Sequence, residues 1–208
     1  MPILSNNRQW WTYFGVLFLT AALLLWISPV ERSLGSGIKS VYVHVALTWT
    51  GMTVLVLAGI LGMVVGFTGH PVLHVWLQAL GRVGMLFYAL GFTASLLSAQ
   101  INWGAVFWAE PRVQASLKVV VAFGLVLLLA PVLPERHRGW LYGLLAGFVV
   151  ISVYRAALVM HPKNPIGLST SVAIQLTFIG LYLLALMLAL LLTAVFRQRA
   201  LGRKTGPS

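Results

Sequence analysis

The stretch INWGAVFWAEPR, residues 101–112, holds two tryptophans, a phenylalanine and a Glu–x–Arg pair within twelve positions. The chain has only three acidic residues, Glu31, Glu110 and Glu135, and no Asp, so a carboxylate beside tryptophans is conspicuous. Trp103, Phe107 and Trp108 offer flat apolar faces, and Arg112 offers a forked cation that matches a carboxylate. Two histidines, His44 in VYVHV and His161 in ALVMHPKNP, stand at the ends of apolar runs on the same side as this stretch. Imidazoles on separate helices can approach one metal from opposite faces. A planar, greasy ligand with an acidic edge, such as haem, would use the histidines as axial ligands and the aromatics and cations around them. The plainer alternative is an aromatic belt at a membrane surface, where Trp is common, with two interfacial histidines.

Other chemistry is poorly supplied. His70 and His74 have the i, i+4 spacing of a metal pair on a helix face, but Pro71 intervenes and no carboxylate is near, so a solvated turn is expected. His137, in PERHRG, reads as a loop residue among basic neighbours. There are no His pairs spaced along two helices to hold haem inside a bilayer. Without Asp or Cys, Ser–His–Asp and Cys–His arrangements are excluded, and no G-x-x-x-x-G-K-[ST] loop is present to drive transport. Three scattered Glu do not make a proton relay. Ligand handling fits these residues better than catalysis.

The elements that must position them are apolar helices. Of 208 residues, 60% are hydrophobic and 8% charged, against roughly a quarter charged in a soluble domain. Six apolar runs, near 10–28, 41–66, 83–100, 115–133, 140–160 and 171–196, each approach the about 20 residues that a membrane-spanning helix needs. The expectation is an all-α integral membrane protein, one domain over 1–208, built as a six-transmembrane-helix bundle. The first run carries Trp10 and Trp11 and no A-x-A-like site follows it, so a cleaved signal peptide is not expected. The net charge of +11 lies in short connections and the segment RQRALGRKTGPS, which points to membrane orientation rather than nucleic acid.

With six spans both termini share a side. Arg8, Arg82, Arg136, Arg138, Arg197, Arg199, Arg203 and Lys204 fall there, against Arg32, Lys39, Arg112, Lys118, Arg155 and Lys163 opposite. The positive-inside bias is small and favours cytoplasmic termini. An anion-binding outer surface would explain the near balance. On the inner side, GHPVLHVWLQALGR is expected to form a short interfacial helix, and Gly62 with Gly66 permits close helix approach.

Together these residues resemble the haem-handling proteins of cytochrome c maturation, the six-helix haem exporter protein C type and the larger cytochrome c synthases. The likeness runs over nearly the whole chain. The family's tryptophan-rich signature is WG-x-x-W-x-W-D-x-R. Trp103 and Gly104 match its opening and Arg112 its close, while Phe107, Ala109 and Glu110 stand at its Trp, Trp and Asp positions. Trp108 stands one residue out of register. Tyr42–Val43–His44–Val45 fits the family's Tyr–x–His–Val, and His161 lies where its second outer His lies, between helices five and six. The resemblance implies that His44 and His161 ligate an exchangeable b-type haem at the external face of a bacterial inner membrane. It implies that the WG loop presents that haem to a periplasmic haem chaperone, beside other cytochrome c assembly subunits and an ABC-type complex. Arg155 is then a propionate partner, with Lys118 and Lys163 as lesser ones. Participation in attaching haem to the chaperone would border on enzymatic activity. Two other readings stay open: a haem-free membrane scaffold or transporter subunit, and a transporter of small anions or lipids that uses the outer basic residues, with Thr48, Thr50 and Gln175 as the few polar groups for a route at mid-membrane.

Overall fold

The computed structural model describes residues 7–157, 159, 166 and 169–204. Among them the chain is helical: α1 (Asn7–Trp26), α2 (Ile38–Thr68), α3 (Pro71–Trp103), α4 (Pro111–Leu129), a short 3-10 turn (Ala130–Val132), α5 (Glu135–Arg155) and α6 (Val172–Lys204). Proline and glycine set the breaks. Gly69 ends α2 in the left-handed conformation at φ 64°, and Pro71 opens α3 at a position whose amide needs no partner. Pro131 and Pro134 separate α4 from α5.

Among the described residues, five helices are long and apolar enough to cross a membrane: α1, α2, α3, α4 with its 3-10 extension, and α6. The fifth apolar run becomes α5, whose uncharged stretch is confined between Arg138 and Arg155. The interfacial helix expected from GHPVLHVWLQALGR is not separate. No breaker follows Pro71, so the segment is simply the first part of α3, 33 residues long.

The α2–α3 pair forms the centre, with α4 and α5 against one side and α6 against the other, and α1 resting on α6. One apolar core joins Leu55 and Ala58 of α2 to Leu77 and Tyr88 of α3, Val119 and Phe123 of α4, and Tyr142 and Val149 of α5. Another joins Val54, Val83 and Phe87 to Ala185 and Ala189 of α6. The close approach expected of Gly62 and Gly66 occurs against α5. A Cβ on Gly139 would lie 2.4 Å from the Gly66 nitrogen and 2.5 Å from the Gly62 carbonyl oxygen, so backbone meets backbone.

Candidate functional site

The loops 27–37 and 104–110 lie at the same end of the α2–α3 pair, the first leading into α2 and the second leaving α3. Asn102, in the last turn of α3, donates through Nδ2 to the carbonyl of Ser98 (2.8 Å) and to Ser40 Oγ (3.1 Å). Ser40 and Ser98 hydroxyls lie 2.9 Å apart, and Ser40 also donates to the Gly37 carbonyl at 2.7 Å. This polar knot ties the start of α2 to the end of α3 and fixes the two loops relative to each other. Lys39 donates to the last carbonyl of α1, that of Trp26, at 2.7 Å, where the helix end carries partial negative charge.

The Trp-rich loop is held at both ends. Gly104 closes α3 at φ 73°, its amide donating to the Gln100 carbonyl (3.0 Å) while Gln100 Nε2 donates back to the Gly104 carbonyl (2.9 Å). The left-handed backbone, rather than crowding, makes glycine the residue here. At the far end Glu110 caps α4: its Oε2 accepts the amides of Arg112 (2.9 Å) and Val113 (3.2 Å), and Pro111 follows at the first helical position. Glu110 is only 4% exposed. A carboxylate beside tryptophans thus has a local reason, since a helix start offers unpaired amides and partial positive charge. Between these clamps Trp103 is 48% and Trp108 58% exposed, with Phe107 half-buried. The Arg112 side chain is half-buried, and its Nε is enclosed without a hydrogen-bond partner among the described residues.

His44 lies in the second turn of α2, half-buried, with Nδ1 enclosed. It stands four residues from Ser40, which meets Ser98, and four from Thr48, which meets Gly91, so it faces α3. Tyr42 is fully buried among Ile38, Ala46 and residues of α6, with its hydroxyl 3.5 Å from the Pro29 carbonyl. It packs the loop end of the bundle. His161 and Lys163 lie outside the described residues.

Arg155 and Lys118 share a cavity of about 260 Å³ between the start of α4 and the end of α5, with Gln114 and Ser152 among its lining. Clefts that enclose a drug-sized ligand are usually about 300–1,000 Å³, so this one suits a single anionic group rather than a whole macrocycle.

A second polar cluster, at the opposite end, corrects the expectation for His74. It is 4% exposed, not solvated. Because α3 starts at Pro71, position 74 turns inward towards α5, where Nδ1 lies 3.6 Å from Glu135 Oε1 and Nε2 lies 3.2 Å from Arg138 Nη1. A guanidinium only donates, so Nε2 accepts and a neutral ring carries its proton on Nδ1, facing Glu135. Arg138 also gathers the carbonyls of Leu133 (2.6 Å) and Pro131 (3.2 Å). His70 and His137 are exposed. Among the described residues, no group of three His, Cys, Asp or Glu side chains could hold a metal ion.

Loop 27–37 carries a pH-sensitive turn. The Ser33 hydroxyl, followed by the Leu34 and Ser33 amides, holds the Glu31 carboxyl below its ordinary value of 4.5. A depressed folded-state pKa gives stability that is complete above the unfolded value and lost as pH falls through the lower folded value. The amides of Ser33 and Leu34 are therefore expected to lose hydrogen-exchange protection as pH drops below about 4.5, and Glu31→Gln should abolish that dependence. Protection that is unchanged from about pH 6 to about pH 3 would remove this role from Glu31.

No family model matches the chain, and no curated protein matches it.

Proposed function

We propose that this is a six-span membrane protein, with both termini cytoplasmic, that holds an exchangeable b-type haem at its external face and passes it to a periplasmic haem chaperone in cytochrome c maturation. The bacterial inner membrane, companion assembly subunits and an ABC-type complex that supplies energy belong to the same reading. The sixth span is α5. The helix is about 30 Å long in all, and the stretch from Arg138 to Arg155, uncharged between them, covers about 25 Å, most of the hydrocarbon thickness.

The observation that carries the haem reading is the clamped loop with Trp103 and Trp108 turned outwards. Two rigid aromatic faces on a fixed loop suit a planar ligand that must be displayed to a partner rather than enclosed. Arg112, half-buried beside the loop, brings a guanidinium that suits a propionate. His44 supplies one axial imidazole and His161 the other in this reading, with Glu110 acting through the loop as its helix cap. Haem, when bound, supplies the cargo; the chain's residues bind, orient and release it.

Absorption spectra of the purified protein, oxidised and reduced, test the reading. A bis-imidazole spectrum is expected, weakened or lost in His44→Ala and in His161→Ala, and kept in His137→Ala. The same spectrum in both outer variants would discard the axial assignment. A protein that stays colourless after incubation with haem would instead favour a haem-free scaffold or transporter subunit.

A further inference from the structure

The cavity between α4 and α5 gathers Arg155 and Lys118, the two cations that the resemblance offered as propionate partners, in a space sized for one anionic group. Its ionic lining is wholly cationic, Lys118 and Arg155, with Gln114 and Ser152 as neutral hydrogen-bonding groups. Neither cation makes an ion pair among the described residues. The three Glu of the chain are committed elsewhere: Glu31 in its turn, Glu110 at its cap, Glu135 beside His74. Two cations around one small space repel each other unless an anion lies between them. Lys118 is seven residues past Pro111, about 10 Å along α4 from its end, and Arg155 is the last residue of α5. That is the depth of the headgroup and upper acyl region in a bilayer.

The helix faces that carry these groups continue as apolar tracks. On α4, Gln114 and Lys118 are followed at helical spacing by Val121 and Leu125, both more than half exposed. On α5, Arg155 is preceded at the same spacing by Ile151, Phe148 and Leu144, all exposed. A polar pocket heading two exposed apolar tracks is complementary to one amphiphile with an anionic head and two acyl chains. Exposed apolar faces are general on helices in a bilayer; what marks this pair is the two cations that head them.

We propose that the α4–α5 groove is a binding site for an anionic phospholipid, its phosphodiester between Lys118 and Arg155 and its acyl chains along the two tracks. Gln114 Nε2 and the Ser152 hydroxyl donate to the remaining phosphate oxygens. This assigns Lys118 and Arg155 to a lipid phosphate rather than to a haem propionate, and it holds whether or not the histidines and tryptophans bind haem.

The test uses the full chain in detergent, with phosphatidylglycerol and phosphatidylcholine offered in competition and the retained lipid read by native mass spectrometry. The wild type is expected to retain phosphatidylglycerol preferentially. Lys118→Gln with Arg155→Gln should retain it about 30-fold more weakly, each cation at a lipid surface contributing about a factor of five. Lys118→Arg with Arg155→Lys should keep it. Ser152→Leu fills the pocket without changing charge and should expel the lipid, which guards against a double variant that fails to fold. Equal retention of the two lipids, retention unchanged in both the glutamine and the leucine variants, or displacement by inorganic phosphate at matched concentration would overturn the proposal. Loss of a haem spectrum leaves this readout untouched, so the two proposals fail separately.

Discussion

Gly139→Leu is expected to drive α5 away from α2 and to lower stability by about 3 kcal/mol or more, the upper range for overpacking a rigid interior. The Cβ alone would fall 2.4 Å from the Gly66 nitrogen. That neighbour is backbone within a helix, so no side chain can rotate aside. Relief requires a shift of the whole α2–α5 crossing, which carries Leu55, Ala58 and Tyr142 of the main core with it. It would also strain the cluster of His74, Glu135 and Arg138, whose latter two residues begin α5. Gly147→Leu on the same helix is the control, since a Cβ there meets nothing within 4 Å. Thermal unfolding in detergent should separate the two variants, with Gly147→Leu close to the wild type. Coincident transitions for Gly139→Leu and the wild type would mean that the crossing is not rigid.

The sequence is most legible where one residue decides a local structure. Apolar runs place the helices, and glycine or proline at positions 69, 71, 104 and 111 ends or starts them. Amphipathicity near Trp76 suggests an interfacial helix, but no breaker stops the helix before position 83, so it runs on into α3. Arg197 stacks over Trp76 at 4.5 Å, so that face meets α6 as well as the interface. His74 was hidden for a different reason. Its burial depends on α5 approaching closely, which in turn depends on Gly139, on another helix, meeting Gly62 and Gly66. Spacing along one helix carries no such information.

The candidate site divides the same way. The exposure of Trp103 and Trp108 and the cap at Gly104 follow from local sequence. The shared cavity of Lys118 and Arg155 does not, because it exists only where α4 and α5 are side by side. Tyr42 belongs to the packed end of the bundle, where the α2 face that carries it meets α6. His44 points along the α2–α3 seam, a direction fixed by its spacing from Ser40 and Thr48 once their partners are known.

Glu110 is where local structure and the family-like pattern make opposite claims, and substitution separates them. As a helix cap, Glu110→Ala leaves the amides of Arg112 and Val113 without their acceptor and removes a negative charge from the start of α4. The expected cost is about 1–2 kcal/mol in unfolding experiments, the range for deleted caps. Because the cap sets where the loop ends, the change should also raise hydrogen exchange at Arg112 and Val113 and shift the fluorescence of Trp108. Glu110→Ser is the discriminating variant. Serine is a stronger cap by preference and its hydroxyl can accept an amide of the first turn, but it has neither the charge nor the reach of glutamate. If Glu110 serves the loop only as a cap, serine should restore stability, amide protection and whatever haem spectrum the wild type has. If the carboxylate touches the ligand itself, serine should restore stability while the spectrum stays altered. Full recovery of both by serine would assign the acidic residue of INWGAVFWAEPR to holding the loop, and leave recognition to the tryptophans and Arg112.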